Sequence, residues 1–319
     1  MSTSPLPVLN ALVHDYPLRR LSIGRASATC TSRDLTWPEW IERESQKRTL
    51  CATHFLSNLL MVIYDMSPGF LKPEDLEFEM PDEERLWNAR TEGEWHQLRS
   101  ERVIRNPRIL GSVLADVMSA EGAAAGDCVG EENRYDISAF TALFIMHAVS
   151  THLWMSIRCA RSMAPHADPF AGALGGSELR RLVLSNGMAI LSRCHRVLSG
   201  GGREAENQDD AAAWDHPAGP LLFNCHGVLR IACSRLLTSS YQPFQHLTLI
   251  TNAAGSTDEA AEAYAASPQE RNDFFTKVIS MACQSFLTPV QAGHMLVRKT
   301  AALSWGVEHA VAGWDSVDV

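Results

Sequence analysis

Residues 37–95, WPEWIERESQKRTLCATHFLSNLLMVIYDMSPGFLKPEDLEFEMPDEERLWNARTEGEW, decide the fold. Thr36 precedes them with Glu39 three residues on, the pattern of a capping box at a helix N-terminus. Pro38 is tolerated in the first turn, where its missing N–H would have no partner. Ile41, Arg48, Ala52, Phe55, Leu59 and Val62 recur at helical spacing. Glu39, Glu42, Arg43, Gln46 and Lys47 fall mostly off that stripe. The pattern predicts a helix of about seven turns. Its second half, Phe55 to Tyr64, is apolar nearly all round and is expected to be buried. Ser67, Pro68 and Gly69 break the helix. An acidic loop follows, in which Phe70, Leu71, Leu76, Leu86, Trp87 and Trp95 read as anchors to a helical body. Each buried tryptophan would contribute about 2–3 kcal/mol.

Outward from this stretch, 319 residues with 45% hydrophobic content suffice for one large core. The net charge of −9 opposes a surface that holds nucleic acid by counterion release. Residues 72–101 alone carry ten acidic and four basic side chains. No run of about eighteen apolar residues predicts a membrane span. The first twenty residues lack the basic-then-apolar pattern of a secretory signal. An intracellular chain is therefore expected, with its eight scattered cysteines as thiols and mostly as small core residues.

Residues 1–35 have weak periodicity and four helix breakers, and read as a weakly ordered lead-in. Residues 36–319 read as a single all-α domain, a multi-helix bundle-like body with long flexible loops. Helices are predicted over 109–119, 137–163, 177–199, 220–238, 268–287 and 289–306. Ser177 is a candidate N-cap, and Gly200 a stop behind Arg193, His195 and Arg196. Small or polar residues at 121–132 and 200–219 predict loops. Residues 241–254 have some strand character. No strand–helix–strand rhythm and no fixed repeat occur.

Candidates for chemistry are few. Cys51/His54, His147/His152/Cys159, Cys194/His195 and Cys225/His226 lack the paired spacing of a zinc site. His147 and His152 are five residues apart on one helix, so they diverge. No nucleophile elbow or zinc-protease motif is present. Asp82, Glu83 and Glu84 fall in a stretch expected to be solvated, where carboxylates are not tuned for acid–base work. The glycines at 172–176 and 200–202 match no phosphate-binding fingerprint and read as linkers. Phe140, Phe144, Met146, Trp154 and Met155 share one helix as core residues would. A pocket for a small hydrophobic effector between such helices is an open alternative. No catalytic, metal or cofactor residue is assigned.

The ordered set Trp40, Ile41, Glu44, Ser45, Lys47, Arg48 and Thr49, then Pro68, Asp75, Leu76, Met80, Pro81, Leu86, Trp87, Ala89, Glu94 and Trp95, resembles the fungal-specific transcription factor domain. That domain is the middle homology region of fungal zinc-finger regulators. Residues 217–230 and 307–309 are similar to its later part, so the resemblance spans residues 36–319 and is strongest in 37–95. Lys47 replaces a frequent arginine and Met80 a usual leucine. Trp40, Glu44, Arg48, Pro81, Leu86, Trp87 and Trp95 are the family-motif positions, and Glu44, Lys47 and Arg48 are expected to brace the acidic loop.

The resemblance implies a nuclear regulator, otherwise cytoplasmic, that modulates RNA polymerase II transcription of a metabolic or biosynthetic gene set. It implies homodimers, heterodimers or other transcription regulators as partners, and no enzyme activity. Zinc is implied only for the family's DNA-binding module, whose cysteine spacings do not occur here. A truncated product, or a regulator-like protein without its reader, is the expectation. The rival readings are an adaptor derived from such a regulator and a helical enzyme using His147 or His152.

Overall fold

The computed structural model describes residues 35–64, 76, 79–101, 109–119, 137–163, 174–201 and 219–238, with Thr276, Ser280, Cys283 and Glu308. Seven helices and no strand occur among the described residues. They are α1 (Trp37–Tyr64), α2 (Glu84–Trp87), α3 (Glu92–Glu101), α4 (Leu110–Met118), α5 (Ala139–Met163), α6 (Leu174–Gly201) and α7 (Gly219–Thr238). One isolated antiparallel bridge joins Glu79 to Ile109.

The all-α expectation holds, with differences in detail. Helices α2 and α3 stand where the sequence suggests loop. Thr91 and Glu94 explain α3: the Glu94 N–H donates to Thr91 Oγ1 at 3.2 Å, and Glu94 Oε2 reaches back to the Arg90 N–H at 2.9 Å. This reciprocal capping is visible in the sequence as Thr91-x-x-Glu94. Helix α6 starts at Leu174 and ends at Gly201, so Ser177 is interior and not a cap, and Gly175 and Gly176 are helical. The expected features at 1–34, 67–75, 121–132 and 241–254 lie outside the described residues, as does the loop expected at 200–219 except at its ends, where Gly200, Gly201 and Gly219 are helical and Gly200 does not stop the helix. The two C-terminal helices lie outside them too, apart from Thr276, Ser280 and Cys283, which are helical and exposed.

Helix α5 is the centre. It packs against α1, α4, α6 and α7, and α7 also packs against α6. Its apolar residues Leu143, Phe144, Ile145, Met146, Val149 and Leu153 join Ile190, Leu191, Val228, Leu229 and Leu236 in one core. Ala139–Ala160 is long and apolar enough to cross a membrane, a segment that a search for uninterrupted apolar runs passes over. Most of it, 72% of its most apolar window, is buried inside the protein, as in the core helix of a bundle. Gly187 of α6 permits the closest approach in this core. A Cβ there would lie 2.9 Å from Leu236 Cδ1 and 3.1 Å from Leu153 Cδ2. A mid-helix glycine costs about 1 kcal/mol relative to alanine. Here its missing side chain lets α5, α6 and α7 meet.

Two arginines close helix ends that would otherwise present bare carbonyls. Arg193 Nε of α6 donates to the Val117 carbonyl at the end of α4, at 2.7 Å. Arg235 Nη2 of α7 donates to the Val62 carbonyl near the end of α1, at 2.9 Å. The tail of α1 adds Leu59, Met61 and Val62 against Trp154 and Ile231.

The buried stripe of α1 differs from the expected one. It runs Trp40, Glu44, Arg48, Cys51, Phe55, Asn58 and Val62, while Ala52 is exposed and Leu56 is 56% exposed. The spacing is helical throughout, but three members are polar. The expected stripe shares Arg48, Phe55 and Val62 with it but takes Ile41 and Ala52 in place of Trp40, Glu44 and Cys51.

Candidate functional site

The head of α1 holds a polar junction built on Glu44, whose side chain is fully buried. Glu44 Oε1 accepts from Arg48 Nε at 2.8 Å and from the Asp82 N–H at 2.9 Å. Lys47 Nζ lies 2.8 Å from Glu44 Oε2, an ion-pair contact off the line of a hydrogen bond. Lys47 also donates to the Met80 carbonyl at 3.2 Å. Arg48 Nη2 donates to the Asp82 carbonyl at 2.7 Å. Trp40 Nε1 donates to Asp82 Oδ2 at 2.8 Å. Glu44, Lys47 and Arg48 thus pair along the helix and grip the acidic stretch at once, because i, i+3 and i+4 share one helix face.

The same guanidinium faces two rings, 4.8 Å from the Trp87 centroid and 4.6 Å from the Phe140 centroid. Beneath it, Trp40 meets Trp95 at 5.6 Å and Trp87 at 6.3 Å between centroids. Trp40, Leu86 and Trp95 form a separate small core with α2 and α3. Pro81 is buried beside them, and its carbonyl accepts from Ser138 Oγ at 3.3 Å. Trp40, Glu44, Arg48, Pro81, Leu86, Trp87 and Trp95 therefore meet in one place, although up to 55 positions separate them in the chain.

One expectation for this stretch fails. Glu83 is exposed, but Glu84 is buried. Glu84 Oε1 accepts the Phe140 N–H in the first turn of α5 at 3.0 Å and lies 3.9 Å from Arg48 Nη2. A carboxylate at a helix N-terminus satisfies an orphan donor and the helix dipole together. Ser138 supplies the ordinary cap, accepting from the Thr141 N–H at 3.1 Å. Nothing local to Asp82-Glu83-Glu84 distinguishes Glu84. Only the arrival of α5, 56 residues later, buries it.

A second polar group lies deeper, between α1 and α5. Asn58 Nδ2 donates to His147 Nδ1 at 2.8 Å, and Asn58 Oδ1 accepts from Thr151 Oγ1 at 3.1 Å. Phe55 stacks on the His147 ring at 4.7 Å. His147 Nε2 lies 3.9 Å from Glu308 Oε1, within ion-pair range but too long for a direct hydrogen bond. Burial holds His147 below the usual histidine range, with Glu308 opposing that shift. His54 is also buried and packs on Phe144 at 5.1 Å. Neither of its ring nitrogens has a hydrogen-bond partner among the described residues, and burial pushes its pKa down to about 3.

The residues weighed in the sequence as metal ligands differ in burial. His147 is fully buried, His152 half-buried and Cys159 exposed. Among the described residues no group of three or more His, Cys, Asp or Glu could hold a metal ion. Cys51, Cys194, Cys225 and Cys233 are buried thiols, and desolvation pushes Cys194 and Cys233 up to about 12. That makes them poor nucleophiles. Phe144 and Met146 belong to the core as expected, but Met155 is 56% exposed.

Replacing Arg48 with glutamate would set an anion beside Glu44 and Glu84. The expected loss is about 4 kcal/mol of unfolding free energy, the scale for breaking a buried ion pair. Arg48→Lys should recover less than half, because an ammonium cannot serve two oxygens and two rings together. An unchanged denaturation curve for Arg48→Glu would contradict the bracing role. For His54 the folded state refuses a proton that the unfolded chain accepts below pH 6.5. Its contribution is complete above pH 6.5 and falls by up to about 1.4 kcal/mol per pH unit toward pH 3. His54→Phe should flatten the stability–pH slope by about one proton between pH 6 and 4. An identical slope in the variant would show that His54 titrates normally.

Comparison with known proteins finds two partial similarities. Residues 242–319 match the family described as the fungal transcription factor C-terminal domain. A stretch of 80 residues is 33% identical to Transcription factor 1 of Elsinoe fawcettii, covering 25% of this chain and 8% of that protein. No solved structure matches. The family match contains Thr276, Ser280, Cys283 and Glu308 and lies C-terminal to α7, away from residues 37–95 where the resemblance reads most strongly. Both matches are to fungal transcription factors, and each covers about a quarter of this chain.

Proposed function

We propose that these residues form the effector half of a fungal transcription regulator, modulating RNA polymerase II transcription of a metabolic or biosynthetic gene set. The family match at residues 242–319 carries this reading. The net charge of −9 agrees with a part that does not itself grip DNA. On this reading sequence-specific DNA contact, and any zinc it needs, belongs to a separate module. The partners are then a second copy of the chain or other transcription regulators, and no cofactor is required by the residues described. The junction at Glu44 and Arg48 serves the role mechanically, by fixing α1, α2, α3 and the start of α5 as one rigid surface for such partners.

A tethering assay tests it. The full chain, fused to an unrelated sequence-specific DNA-binding domain in a fungal cell, is expected to change a promoter-linked reporter several-fold in either direction. Arg48→Glu in the same fusion should bring the reporter back toward the level of the DNA-binding domain alone. A wild-type fusion that accumulates normally yet leaves the reporter at that level would contradict the proposal.

A further inference from the structure

Helix α1 carries no Asp, Glu, Lys or Arg from Thr49 to Tyr64. A helix that is apolar all round is ordinarily covered all round. Here one face is left open. Thr49 and Ala52 are exposed, Leu56 is 56% exposed, and Thr53, Leu60 and Ile63 are half-buried. These six share one side, because their positions follow the three-and-four spacing of a helix face. The other side meets α5 through Phe55 and Asn58.

The open face asks little of water. Thr49 Oγ1 donates to the Ser45 carbonyl at 2.7 Å, and Thr53 Oγ1 donates to the Thr49 carbonyl at 2.8 Å. Both hydroxyl donors are thus satisfied within the helix. The exposed side chains before this face include Glu39, Glu42 and Gln46, so polarity stops where the face begins.

The order of side-chain sizes selects the occupant. Thr49 and Ala52 are small and precede Leu56, whereas Leu60 and Ile63 are large and follow it. Two copies laid antiparallel and centred on Leu56 set Ala52 opposite Leu60 and Thr49 opposite Ile63. Small then meets large on both sides of a two-fold axis. A parallel pair would oppose small with small and leave gaps. No charge meets a like charge along the about four turns in contact. One helix face buries less than the roughly 1,200 Å² of a stable complex, so the pairing is weak and depends on concentration.

We propose that the outer face of α1 from Thr49 to Ile63 is a self-association surface, on which a second copy of the chain packs antiparallel about Leu56. A second copy is one of the partners that the regulatory reading admits. The pairing rests on the geometry of α1 and is measured without transcription, so either can fail alone.

Sedimentation equilibrium of the full chain, from low micromolar to near millimolar concentration, tests this. The mean mass of the wild-type chain should rise from one copy toward two. Leu56→Glu sets two unpaired carboxylates at the axis and should weaken association by about tenfold or more, with the helical circular dichroism unchanged. Ala52→Leu and Leu60→Ala should each weaken it, one by overfilling and the other by leaving a cavity. Their double variant exchanges the two sizes between good helix formers and should return association to within about threefold of wild type. A wild-type chain that keeps the mass of one copy throughout would overturn the proposal, whatever else binds the face. So would association that Leu56→Glu leaves unchanged, or a double variant that associates no better than the weaker single variant. If Leu56→Glu loses its helical signal, Ala52→Lys at the exposed position opposite Leu60 decides by the same criterion.

Discussion

A carboxylate with no access to water sets the terms for this structure. Glu44 is wholly buried at the head of α1, and a buried charge is tolerated only when it is paired and hydrogen-bonded. Its partners come from its own helix, Lys47 and Arg48, and from the backbone of Asp82. The acidic stretch must therefore return to the head of α1. Once there, its Glu84 meets the first turn of α5, and Trp87 and Phe140 flank the same guanidinium. The direction in which α5 enters the core follows from this junction.

From α5 the remaining helices fall into place by ordinary packing. Its apolar face gathers α6 and α7, and Gly187 lets all three approach closely. Arg193 and Arg235 then tie α4 and α1 to α6 and α7 through carbonyls that end their helices. Deeper in, Asn58 of α1 donates to His147 of α5, whose other ring nitrogen lies 3.9 Å from Glu308.

The helices were legible where apolar residues recur with helical period, as in α1, α5 and α7. Short helices were less so: α3 announces itself only by Thr91 and Glu94, and α2 offers four residues inside an acidic run. The grouping of Trp40, Glu44, Arg48, Pro81, Leu86, Trp87 and Trp95 was accessible only as an ordered pattern over the whole stretch, since no local rule pairs Trp40 with Asp82. The buried state of Glu84 was not legible, because its burial depends on Phe140 and α5 rather than on its neighbours in sequence. Asn58 escaped notice for the opposite reason, and His54 was weighed only as a partner of Cys51 in a metal pair. They look like ordinary members of an amphipathic helix until α5 covers them. The metal pairs were rejected on spacing alone.

The central claim is that side-chain carboxylates at this junction hold backbone donors which no helix or sheet ladder would protect. Amide hydrogen exchange at Asp82 and Phe140 measures it directly. Asp82 N–H has Glu44 as its acceptor and Phe140 N–H has Glu84, and Phe140 is only the second residue of its helix. Both amides should exchange as slowly as those in the middle of α5, opening only when the body unfolds. Exchange of either amide near the rate of an exposed loop would show that the junction is not closed in solution and would contradict the role given to Glu44 and Glu84.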